Sequence, residues 1–224
     1  DLQGRILTLG NLGSLHYHRG EHQRSEELLQ EYLQLSRQHR IVRAQADALV
    51  SLGMLRLEAH EPLSAIEVLV EGLELFEKVG DLQGTLRASL HQARALGRSG
   101  ENMKALESAQ EVENTARETN TTPIVIDALR IQSEAHRLLG DLELALKKVE
   151  TAIELVEDQR LPYAEGCCWR TLGKVQRDRG FEWADRAGMA FEKSQKIFRD
   201  HDCQHALAVT CREFAEFLFG VEEP

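Results

Sequence analysis

Apolar residues along this chain recur every three or four positions. Leu49, Leu52 and Leu55, then Ile66, Leu69, Leu73 and Phe76, mark two successive stretches with the spacing of one buried helical face. No window alternates over the length of a strand, and aromatic residues make up only 5% of the chain. The pattern predicts an all-α protein built from amphipathic segments of about 15 residues.

The segments repeat. Gly13, in "NLGSLHYHRG", lies inside a helical stretch, where glycine costs roughly 1 kcal/mol relative to alanine. Steps of forty residues lead from it to Gly53, Ala93, Ser133 and Gly173. Seven past each small residue lie Gly20, His60, Gly100, Gly140 and Gly180, where a helix should stop and turn. Twelve past it lie Ser25, Ala65, Ala105 and Ala145; sixteen past it lie Leu29, Leu69, Ala109 and Val149. The opening "DLQG" returns verbatim at Asp81–Gly84, and a fixed period of this length points to a solenoid. In the fifth unit "FEWADRAGMAF" slips the register by two, placing Ala187 and Phe191 in the columns and, further on, Ala215. This predicts a longer or reshaped turn there, with Phe181 or Trp183 at its tip.

The expected architecture is one domain over 1–224 with repeats at 3–40, 41–80, 81–120, 121–160 and 161–202 and a capping helix at 204–219. That makes five antiparallel helix pairs and a terminal single helix. Thr122 reads as an N-cap before Pro123, Pro162 as a first helical residue, and Gly80-Asp81 as a helix stop followed by an N-cap. Each small residue is expected where the first helix of a pair crosses the second.

Large apolar, two residues, Leu, Gly, then a turn glycine and a small residue five later resembles the tetratricopeptide repeat. The best matches are Trp169-Leu172-Gly173-Gly180 and Leu9-Leu12-Gly13-Gly20-Ser25. The unit is longer than the usual 34 residues, like the lengthened repeats of kinesin light chains and several bacterial regulators, and Gln92 and Gln132 replace the leucine. The resemblance implies a right-handed α-solenoid of helix pairs whose first helices line a concave groove. It implies a protein-interaction or regulatory scaffold holding a partner peptide or segment, within a larger signalling or transcriptional regulator. The alternative is a sensor binding a small metabolite or signal peptide inside the superhelix. Pull-down or thermal-shift screening separates the two.

The net charge of −10 argues against nucleic acid as the ligand of this domain, and no apolar stretch approaches the roughly 18 residues of a membrane span. The expected location is cytoplasmic. The sequence opens at Asp1 on a repeat boundary, and we read it as a segment of a longer protein. Cys167, Cys168, Cys203 and Cys211 are all expected on helices, as reduced thiols, and make no paired CxxC motifs. No phosphate loop, GxSxG or HExxH is present, so no catalytic residue, cofactor or enzymatic role is assigned. His16, His18 and His22, and likewise His201, Cys203 and His205, read as solvated helix ends rather than metal ligands.

Function is expected on the inner stripe, at offsets −6, −3, +1 and +4 or +5 from the small residue. Its first part is mostly apolar or neutral: Leu7, Gly10, Ser14 and Tyr17, then Asp47, Val50, Met54 and Leu57. Arg87, Leu90, Arg94 and Arg98 are transitional, and Arg130, Arg137, Arg170, Lys174, Arg177 and Arg212 make the later part basic. Acid collects on the second helices, where Glu67, Glu71, Glu74, Glu77, Glu107, Glu111 and Glu113 are expected to face outward. Arg94, Glu134, Lys174 and Glu216 alternate as an inter-repeat ion ladder would. Arg130, Arg170 and Arg212 follow one another with no acid in register, and such a row would be relieved by a ligand carboxylate or phosphate. Solvated charges, or partners from neighbouring loops, account for the same row. The partner expected from this stripe is a protein or peptide with an acidic segment, its apolar part lying near Val50, Met54 and Leu90.

Overall fold

The computed structural model describes residues 2–221. Among them lie helices α1 (Leu2–His18), α2 (His22–Gln38), α3 (Val42–Glu58), α4 (Pro62–Lys78), α5 (Leu82–Arg98) and α6 (Asn102–Glu118). Then come α7 (Thr122–Leu138), α8 (Leu142–Glu157), α9 (Pro162–Asp178), α10 (Ala184–Asp200) and α11 (Gln204–Val221). No strand occurs among the described residues.

Every link is built on a left-handed residue. Gly20, Arg40, His60, Gly80, Gly100, Asn120, Gly140, Arg160, Gly180 and Asp202 have φ between 51 and 112°. The step is therefore twenty residues, half the sequence period, up to Gly180, and two longer from there to Asp202. At Gly20 the paired bonds Gly20 N–H to Tyr17 O and Glu21 N–H to His16 O close the helix, and the same pair recurs at Arg40, His60 and Gly80. Glycine carries the left-handed turn without cost, whereas arginine, histidine and asparagine adopt it under strain. Asp81 caps α5 by accepting from Gly84 N–H at 3.0 Å. Two boundary expectations shift. Thr121, not Thr122, is the N-cap of α7, and its hydroxyl oxygen accepts no cap bond from the first turn. Cys203 lies in the link between α10 and α11 rather than on a helix.

The chain forms two compact units, residues 1–108 and 109–224. In the first, α1 to α5 pack each on the next, and the first-type helices α1, α3 and α5 also touch one another. In the second, α7 to α11 pack in the same way, with α9 touching both α7 and α11. First-type helices therefore form one layer of each unit and second-type helices the other. Leu28, Leu29 and Tyr32 of α2 pack with Ala48, Leu52 and Leu55 of α3 in one core cluster. Leu69 and Phe76 of α4 pack with Ala88 and Ala95 of α5 in another.

The small-residue column marks the crossings. A β-carbon on Gly13 would lie 2.7 Å from Leu29, and one on Gly173 would lie 3.0 Å from Phe191. The Ser25 hydroxyl donates to Gly13 O at 2.7 Å, and that of Ser133 to Ala145 O at 2.8 Å. The backbones approach closely enough for large side chains to seat against bare main chain, which offsets the propensity cost of glycine.

The fifth link differs, as its two extra residues require. After Gly180, a 3₁₀ turn at Phe181–Trp183 precedes α10, and Phe181 is 82% exposed at its tip. Trp183 is held between the guanidiniums of Arg179, 3.7 Å from the ring centroid, and Arg186, at 4.6 Å. Ala187 and Phe191 are fully buried, in the columns the slipped register assigns them.

Candidate functional site

The arginine row lies on the first-type helices of the second unit, where Arg130 (α7), Arg170 (α9) and Arg212 (α11) occupy one column. The row is not uncompensated. Arg130 Nη2 lies 3.1 Å from Asp127, one turn earlier on α7. Arg170 Nε stands 3.6 Å from Glu213, and Arg212 Nε 3.9 Å from Glu216. The acids lie one turn away along the helix, or one residue out of column on the neighbouring helix, so comparison within a single column misses them.

The pairs link into a network. Glu134 accepts from Lys174 and, at 3.0 Å, from Arg137 Nε; Lys174 lies a further 3.8 Å from Glu213. Asp178 receives Arg137 at 2.5 Å and Arg177 at 2.7 Å. Burial alone would raise the Glu134 carboxyl, but Lys174 and Arg137 outweigh it and hold the pKa down at about 2. The ladder expected at Glu134 and Lys174 thus exists and takes in Glu213 as well.

Two guanidiniums nevertheless make few bonds. Arg130 is 8% exposed, its Nε is buried with no hydrogen-bond partner, and Asp127 is its hydrogen-bond acceptor. Arg170 reaches Thr210 Oγ1 only at 3.5 Å and Cys167 Sγ at 3.8 Å. The two occupy neighbouring helices, and each charge opposes the other. Beside them Cys168 is buried, which pushes its thiol up to about 12 and leaves it unreactive.

The apolar half of the expected site is not a surface. Tyr17, Val50, Leu57 and Leu90 are all buried, and Val50 and Leu57 belong to the core around Leu69 and Phe76. Of that set only Met54 is partly exposed. A first-type helix is covered by its own second helix, by the preceding second helix and by its first-type neighbours, so its free stripe is narrower than a two-sided helix suggests. A pocket formed by Tyr17, Val50, Met54 and Leu57 is therefore ruled out. The transitional arginines are tied down as well. Arg87 pairs with Asp47 at 3.1 Å, and Arg98 donates to Leu57 O at 2.6 Å; Arg94 is half-buried on α5.

One polar centre escaped the sequence reading. Glu113, expected to face outward, is 5% exposed. It accepts from Gln132 Nε2 at 2.8 Å and Arg117 Nε at 2.8 Å, with Lys148 at 3.5 Å. Gln132 also donates to Ala109 O at 3.2 Å. The glutamine in the leucine column thus exists to bond a buried carboxylate, a pairing its position opposite Glu113 could have signalled. Glu67, Glu71, Glu74, Glu77, Glu107 and Glu111 are exposed as expected.

An open cleft of about 530 Å³ lies against Gly20–Arg24 and Glu27, and one of about 430 Å³ against Phe198, Asp202 and Leu207. Neither is lined by the arginine row. Among the described residues no three His, Cys, Asp or Glu side chains are grouped to hold a metal ion, and no helix is long and apolar enough to cross a membrane.

Helix pairs with a small residue at each crossing define a tetratricopeptide-type helical repeat, and solved structures share that fold. Nearly identical TPR-like repeats of kinesin-light-chain type from Podosopora anserina align with a TM-score of 0.61 at 15% identity, over 88% of this chain and 96% of that one. A Rap protein complexed with Competence and Sporulation Factor aligns with a TM-score of 0.72 at 11% identity, over 98% and 76%. A STAND signal-transduction ATPase with a tetratricopeptide repeat sensor, from Pyrococcus horikoshii, aligns with a TM-score of 0.66 at 14% identity, over 95% and 34%. No protein-family profile matches the sequence, and no curated protein matches it.

Proposed function

We propose that this chain is a regulatory interaction scaffold whose second unit holds an acidic segment of a partner protein against α7, α9 and α11. The observation that carries the reading is the Arg130–Arg170 pair: two largely buried guanidiniums on adjacent first-type helices, offering more donors than Asp127 and Glu213 use. A carboxylate bridging them gains charge-assisted bonds in a partly desolvated place, without having to displace a saturated ion pair. Arg137, Lys174 and Arg177 are already matched by Glu134 and Asp178, and they orient the row rather than anchor the ligand. Arg212, more than half exposed and only loosely paired, is the outer contact. The role is binding, not catalysis. Its regulatory character rests on shared fold with the Rap protein and the STAND sensor.

The test is a selection from a random peptide library on the immobilised protein. Selected peptides should be enriched in Asp or Glu, and Arg170→Gln or Arg130→Gln should weaken their binding at least tenfold, a loss of about 1.4 kcal/mol. Peptides without acidic enrichment, or binding unchanged by both substitutions, would overturn the reading.

A further inference from the structure

Cys167 lies beside both of the under-used guanidiniums. It stands on α9, three residues before Arg170, whose Nη2 donates to Cys167 Sγ at 3.8 Å. Arg130 comes to it from α7, the first-type helix that packs against α9. Burial opposes the charge on each guanidinium. Asp127 and then Cys167 outweigh it at Arg130, and Cys167 is the first group to do so at Arg170. The sulfur is therefore a shared neighbour of both charges. The other thiols are placed differently. Cys168 is fully buried, Cys203 donates to His201 O, and the exposed Cys211 accepts from Gln195 Nε2 at 3.4 Å.

A sulfur atom is a weak acceptor and leaves strong donors short. Arg130 Nε is buried with no hydrogen-bond partner, in a residue only 8% exposed. Besides the sulfur, Arg170 has Thr210 Oγ1 at 3.5 Å and Glu213 at 3.6 Å, both at the limit of useful reach. One oxygen atom added to Cys167 Sγ supplies the missing acceptor between two positive charges, where charge-assisted bonds are strongest.

We infer that Cys167 is an oxidant-sensing thiol, taken by hydrogen peroxide to a sulfenic acid whose oxygen is held by Arg130 and Arg170. The thiol first gives its proton to water. The sulfur then attacks one peroxide oxygen: the S–O bond forms as the O–O bond breaks, and the departing hydroxide takes up a proton to leave as water. Sulfur loses two electrons and the peroxide gains them. Hydrogen peroxide is little larger than water, and Cys167 keeps 4% exposure where Cys168 has none. An acidic ligand needs the same donors, so oxidation releases it; that consequence alone rests on the proposed function.

The experiment treats the folded full chain with hydrogen peroxide in the presence of dimedone, which tags sulfenic acids, and reads each cysteine by tandem mass spectrometry. No peptide ligand enters it, so its outcome is independent of what the arginines bind. Cys167 should be tagged at least tenfold faster than Cys168 and than Cys211, although Cys211 is exposed. Arg170→Gln should slow the tagging of Cys167 at least tenfold, and Arg170→Lys, which keeps the charge, should slow it less. Circular dichroism checks that both variants fold, and the site preference of the wild type needs neither. A second thiol that displaces water from the sulfenic acid hides the tag in a disulfide, and Cys203 packs in the same apolar cluster as Cys167. The measurements are therefore repeated in Cys203→Ser, which removes that route. Tagging that favours Cys211, tagging of Cys167 only after unfolding in urea, or a Cys167 rate unchanged by Arg170→Gln would overturn the inference.

Discussion

Leu69 lies so close to Gly53 that a β-carbon built on the glycine would meet its Cγ at 2.6 Å. Leu69 is fully buried, so it cannot swing aside without disturbing Phe76 and Ala65 in the same cluster. Overpacking of this kind costs about 1–3 kcal/mol, more than the roughly 1 kcal/mol of helix propensity alanine restores. Gly53→Ala should lower the urea midpoint. In a Leu69→Ala background, itself destabilised by about 2–5 kcal/mol, the same substitution should become neutral or stabilising. Equal effects in both backgrounds would show that the contact does not set the glycine.

Gly188 is the counter-example. It sits inside α10 with nothing within 4 Å of the position its β-carbon would take, and its φ is helical. Gly188→Ala should therefore stabilise by about 0.4–1 kcal/mol, chiefly by restricting the unfolded chain. A fall in melting temperature would contradict this.

The contrast between these two glycines shows where sequence was informative. Spacing identified Gly13, Gly53 and Gly173 as crossing residues because a packed crossing tolerates only small groups, and it located the slip before Ala187. It missed the left-handed links at Arg40 and Asn120, because paired carbonyl bonds can hold a non-glycine residue there. It also took Val50, Leu57 and Leu90 for surface, since a one-dimensional stripe does not reveal how many neighbours cover a helix. The acids beside the arginines were visible all along: Asp127 lies three residues before Arg130, and Glu213 beside Arg212.

Gln132→Leu would restore the leucine of the repeat pattern and should still destabilise the protein. It removes the bonds from Gln132 to Glu113 and to Ala109 O, leaving a buried carboxylate short of one donor at about 1–3 kcal/mol. Pairing it with Glu113→Leu removes both polar partners and should recover part of the loss. Chemical denaturation of the two single variants and the double completes the cycle, and additive losses would refute the coupling.

The last prediction concerns acid stability. Burial pushes the Glu134 carboxyl up, but the charges and hydrogen bonds of Lys174 and Arg137 prevail and hold it at about 2, against an ordinary 4.5. The unfolded chain therefore takes up this proton first. The stabilisation is fully present above pH 4.5 and is lost as pH falls from there towards 2. Glu134→Gln removes the titration while leaving Lys174 and Arg137 short of an anion. The variant should be less stable than the wild type at pH 7, and the gap should narrow steadily between pH 4.5 and 2. Glu113, also held below its ordinary value, titrates in both proteins and cancels in the comparison, whereas Asp178 shares Arg137 with Glu134 and belongs to the same ladder. Urea midpoints at pH 7, 5, 4 and 3 give the readout. Parallel curves would mean that Glu134 titrates normally and that the ladder across α7, α9 and α11 is solvated charge with no bearing on stability.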